Sequence, residues 1–155
     1  TDALARRCID LLKSGKPNAQ GAVSEYFDTV LENLSRFKLE YSDDLESIDY
    51  AKLIFNRIEE FKQPLEQIIG VLYTIASHAA NEDSILALHR FFEGMSQYFY
   101  PDSNGKTSYS YRAWDFDFYK FIAHELFLYT LAIFIKMENY INTMIMKKFY
   151  ILTQS

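Results

Sequence analysis

The stretch AQGAVSEYFDTVLENLSRFKLE, residues 19–40, sets Val23, Tyr26, Phe27, Val30, Leu31, Leu34 and Phe37 at steps of three and four, with polar residues between them. This spacing forms one apolar stripe along an α-helix, and no run of alternating apolar and polar residues competes with it elsewhere in the chain. The same period continues on both sides. Upstream, Leu4, Cys8, Ile9, Leu11 and Leu12 predict a helix over 3–14, with Asp2 as its N-cap and Gly15 as its stop. Downstream, Ala51, Ile54, Phe55, Ile58 and Phe61 predict a helix over 48–61 that Gln63-Pro64 ends. Pro64 then opens a helix to about residue 80, whose core face is Leu65, Ile68, Ile69, Leu72, Ile75, Ala76 and Ala79. Asn81 caps the next helix, in which Ile85, Leu88, Phe91, Phe92, Met95 and Phe99 point inward until Pro101 closes it.

Residues 101–110 read as an exposed loop. Beyond them Asp115 or Asp117 caps a helix in which Phe118, Phe121, Ile122, Glu125, Leu126, Tyr129 and Ile133 share a side. A hinge near 136–139 separates it from a further helix over 140–151, because one helix of that whole length would be long for such a domain. Five Gly and three Pro in 155 residues, with neither after Gly105, suit long helices. The predicted fold is all-α: a single domain over 1–155, built as a bundle of six to seven helices that are mostly antiparallel neighbours.

A chain of 155 residues that is 49% hydrophobic can bury a core without disulfides or a structural metal. Twelve Tyr, thirteen Phe and one Trp are more aromatic side chains than such a core ordinarily needs, and they crowd into 91–100 and 109–150. They are either a Phe-packed core rimmed by Tyr or, in part, a docking face.

Sixteen Lys and Arg against 21 Asp and Glu give a net charge of −5, which argues against nucleic acid held by phosphate neutralisation. Only residues 106–155 lean positive, with six bases and four acids. The single Cys8 excludes an internal disulfide and fits a reducing, cytoplasmic setting. Within the apolar run 121–137, His124 and Glu125 leave ten uninterrupted residues, which is short of a membrane span. No basic region followed by an apolar one opens the chain. It begins at Thr1 and reads as a piece excised from a longer intracellular protein.

The polar cluster richest in chemistry is Tyr109, Tyr111, Arg112, Trp114, Asp115, Asp117, Tyr119, Lys120, His124 and Glu125. On a helix Asp117, Lys120 and His124 fall near one face, and a carboxylate beside an imidazole can orient it as a general base. A small helical enzyme or nucleic-acid module would therefore use Arg112, Asp117, Lys120 and His124, with bases stacking on Tyr109, Tyr111 and Trp114. The bland account is a capped helix with a hydrogen-bonded boundary histidine. The acidic residues over 40–49 lack the order of a calcium loop, and no metal is expected. His124-Glu125 has no second His at helical spacing, and His78 and His89 would align only if one helix ran through Asn81. No Gly-rich phosphate loop or nucleophile elbow occurs, so no cofactor is expected. The expected role is non-catalytic: interaction, oligomerisation or regulation, with a protein partner, a neighbouring domain or a second copy.

Overall fold

The computed structural model describes residues 2–38, 47–100 and 117–137, and these form five α-helices and two short 3₁₀ turns. Helix α1 (Asp2–Ser14) turns Ala5, Cys8 and Leu12 inward. Asp2 is its first helical residue rather than a flanking cap, and pairs with Arg6 one turn on at 2.8 Å. The helix ends at Gly15, which takes the left-handed φ of +63° that side-chain-bearing residues resist, and whose N–H donates to the Leu12 carbonyl.

Helix α2 (Ala19–Leu34) returns beside α1, with Arg7 reaching Glu25 across the pair. Its buried residues Val23, Tyr26, Phe27, Val30 and Leu34 lie on the stripe that the sequence marks. The α-helix is six residues shorter than its 19–40 pattern. Ser35 bonds its own hydroxyl to the Glu32 carbonyl, the chain tightens into a 3₁₀ turn over Ser35–Phe37, and Lys38 is extended. The tighter turn still delivers Phe37 to the core.

Helix α3 (Ser47–His78) corrects the largest expectation: the helices foreseen over 48–61 and 64–80 are one helix of 32 residues with Pro64 inside it. Proline removes the donor for the Glu60 carbonyl, a cost of about 3 kcal/mol in an ordinary helix interior. Phe61, Ile68, Leu72 and Ile75 are all buried, at steps of seven, four and three, so the apolar register passes through Pro64 without a phase shift. Burial of that continuous face outweighs the lost hydrogen bond.

Helix α4 (Glu82–Ser96) starts where predicted. Asn81 is extended, and its side chain accepts the Ser84 N–H at 3.0 Å, so His78 and His89 stand on different helices. A 3₁₀ turn over Gln97–Phe99 follows. Helix α5 (Asp117–Lys136) completes the described bundle. The helix predicted over 140–151 and the loop over 101–110 lie outside the described residues.

Side-chain partners fix how the helices run. Gln20 meets Ser84 near the start of α2 and α4, and Tyr98, just past α4, donates to the carbonyl of Leu31 in the last turn of α2, so these two are parallel. Phe61 packs on Phe118 and Ser77 reaches Met137, so α3 and α5 are parallel as well. Phe92 with Phe127 and Tyr98 with Tyr119 set α4 and α5 antiparallel. The expectation of mostly antiparallel neighbours thus gives way to a mixed arrangement. Buried residues of all five helices make one cluster, with α5 against both α3 and α4.

Candidate functional site

Helix α5 is apolar almost all the way round, and only one side of it can face the core. Phe118, Tyr119, Ile122, Ala123, Leu126, Phe127, Thr130, Ile133 and Phe134 are buried. Of the residues expected to share its inward side, Phe118, Ile122, Leu126 and Ile133 do so. Phe121 and Tyr129 instead lie outward, 44% and 42% exposed, and Glu125 is only part-buried. Leu128 and Ile135 join them at 48% and 50%. With Ala132 they form a stripe along the solvent side at helical steps of seven, four and three from Phe121. Glu125, Leu128, Tyr129 and Ala132 line a shallow groove in that stripe.

Of the polar cluster predicted from sequence, five members are described, all on α5: Asp117, Lys120 and His124 are exposed, Glu125 is part-buried and Tyr119 is buried. Tyr109, Tyr111, Arg112 and Trp114 lie outside the described residues. Asp117 sits in the first turn, where a carboxylate is favourable to the helix dipole. Of the described members of this cluster, Glu125 lines the groove, while Asp117, Lys120 and His124 stand exposed beside it. No group of three potential metal-binding side chains occurs among the described residues.

Titratable groups in the interior are held by packing. Cys8 is fully buried, and desolvation raises its thiol from 9.0 to about 11. Native protein at pH 8 is therefore expected to label with a thiol-specific disulfide reagent at least a hundredfold more slowly than urea-unfolded protein, followed by absorbance. Equal rates would show the site open. Tyr119 donates to the Leu34 carbonyl at 2.8 Å, and burial, reinforced by neighbouring Tyr98, raises its pKa. Burial likewise lowers His89 below its ordinary 6.5. The Tyr26 hydroxyl is buried with no hydrogen-bond partner among the described residues. It borders a cavity of about 20 Å³ that Asn33, Pro64 and Gln67 also line, which is room for one water.

What sequence reasoning missed is the outward half of α5, and the signal was present. Residues 121, 128, 132 and 135 keep a helical period of their own beside the stripe of 118, 122, 126 and 133. By length and composition α5 could cross a membrane, a criterion that the core helix of a soluble protein also meets; its inner side packs on α3 and α4. The chain matches no protein-family profile, no curated protein and no solved structure.

Proposed function

We propose that this chain is a non-catalytic helical interaction domain that binds a protein partner through the outer stripe of α5, in a cytoplasmic setting. The observation that carries the reading is the exposure of Phe121, Leu128, Tyr129 and Ile135 on a helix whose opposite side is already fully used in the core. Four large apolar side chains on one solvent face form a contiguous patch of the kind that marks contact surfaces, with an aromatic share typical of interface anchors. The exposed polar residues Asp117, Lys120 and His124 rim this stripe, as polar residues commonly border an apolar contact face.

The test places a photo-activatable phenylalanine at Leu128 and, as a control, at exposed Lys13 on α1. A discrete protein adduct is expected from position 128 alone, lost when Ile135→Glu is added while circular dichroism stays unchanged. Equal labelling from both positions, or none from 128, would overturn the reading.

A further inference from the structure

The outer stripe of α5 carries opposite charges at its two ends, Asp117 and Lys136, with apolar residues between them. Asp117 and Lys136, Phe121 and Ala132, and Glu125 and Leu128 are three pairs of outward or part-exposed residues that share one midpoint, between residues 126 and 127. In two antiparallel helices facing each other, residues equidistant from such a midpoint are opposite one another. We propose that α5 pairs with α5 of a second copy of this chain, antiparallel and about that midpoint. This rests on the reading of the stripe as an interaction face and names its partner.

Size and the charges at the two ends fit, while the two Glu125 carboxylates near the axis repel and hold the affinity down. Phe121 of one copy, nearly half exposed, meets the groove of the other at Ala132, the smallest side chain on the stripe, between Leu128 and Tyr129. Asp117 at the N-terminal end faces Lys136 at the C-terminal end of the second copy, twice per dimer. Antiparallel alignment also sets each helix's positive end beside the other's negative end. A parallel pairing would instead put Asp117 against Asp117 and Lys136 against Lys136. Such a contact is isologous and closes as a dimer. Four half-exposed large side chains offer on the order of 400 Å² per copy. That is roughly half of what a stable interface buries per partner, so the pairing belongs to the reversible class, with dissociation on the order of tens of micromolar.

Sedimentation equilibrium on the full chain tests it. The wild type is expected to pass from monomer to dimer across the micromolar range. Asp117→Lys and Lys136→Asp, both at exposed positions, each place like charges together twice and are expected to weaken pairing by about tenfold. An equimolar mixture of the two variants restores both attractions, and heterodimer is expected with at least wild-type affinity. A folding defect in either variant could not produce that rescue. Glu125→Cys, near the axis, is expected to form a disulfide-linked dimer on mild oxidation, whereas Ile135→Cys, far from it, is not. A wild type that stays monomeric to about 0.3 mM, or charge variants that the mixture does not rescue, would overturn the pairing. The Leu128 cross-link separates this failure from that of the underlying reading: an adduct of other than twice the chain's mass leaves the interaction face standing with a different partner.

Discussion

Phe118→Ala is expected to lower the free energy of unfolding by about 3–5 kcal/mol, the range for deleting a fully buried phenylalanine. Phe118 has no exposed surface, and its ring meets three others: Phe37 stacked at 5.4 Å, Phe61 edge-on at 5.9 Å and Tyr119 at 5.4 Å. Those partners come from the 3₁₀ turn after α2, the middle of α3 and α5 itself, so one ring ties three elements together. Collapse cannot readily fill the space. Phe37 is fixed by a 3₁₀ turn, Phe61 lies one residue beyond the carbonyl that Pro64 leaves without a donor, and both already border the water-sized cavity. A domain of this size has about 5–15 kcal/mol in total, so the variant should be marginal. Phe118→Leu, which keeps most of the volume, should lose less than half as much. Urea unfolding followed by circular dichroism measures both, and a loss below 1 kcal/mol for the alanine variant would mean that the ring cluster does not anchor α5.

The ring cluster also shows why some of this fold was legible and some was not. Helix α2 was readable because its stripe has a polar opposite side, so the phase of the helix and its burial coincide at Val23, Tyr26, Phe27, Val30 and Leu34. Asn81 and Gly15 were readable because each acts through its own backbone: one side chain accepts a helix N–H, and one residue tolerates a positive φ. Pro64 misled because its local rule is real but small against a face of buried residues from Phe61 to Ile75 that stays in register across it. Helix α5 misled for the opposite reason. With apolar residues on every side, periodicity establishes a helix without choosing which side is inner, and only α3 and α4 make that choice. Phe121 and Tyr129 were therefore placed inside, and the stripe they form was hidden within a correct expectation of aromatic surplus. Asp117, Lys120 and His124 stand exposed on α5. Spacing alone does not say whether such residues line a pocket, since concavity is made by neighbouring elements.

Phe91→Ala is expected to cost a further 3–5 kcal/mol at the other aromatic cluster, by the same deletion argument. Phe91 is 1% exposed, stacks on Phe27 at 4.6 Å and tilts against Phe92, which in turn meets Phe127 edge-on. This cluster joins α2 to α4 and α4 to α5, and among the described residues it shares no ring partner with Phe118. Residues without common partners add in free energy to within about 0.5 kcal/mol. The double variant should therefore lose roughly 6–10 kcal/mol and be mostly unfolded without denaturant. Because both clusters belong to one buried network, each single variant should keep the wild-type slope of stability against urea and one coincident transition by circular dichroism and Tyr absorbance. Two separated transitions in Phe91→Ala would show that the α2 and α4 pair melts apart from α3 and α5. In that case α5 would keep only its α3 support, and the outer stripe would lose the rigid backing that presents Phe121 and Ala132 in register.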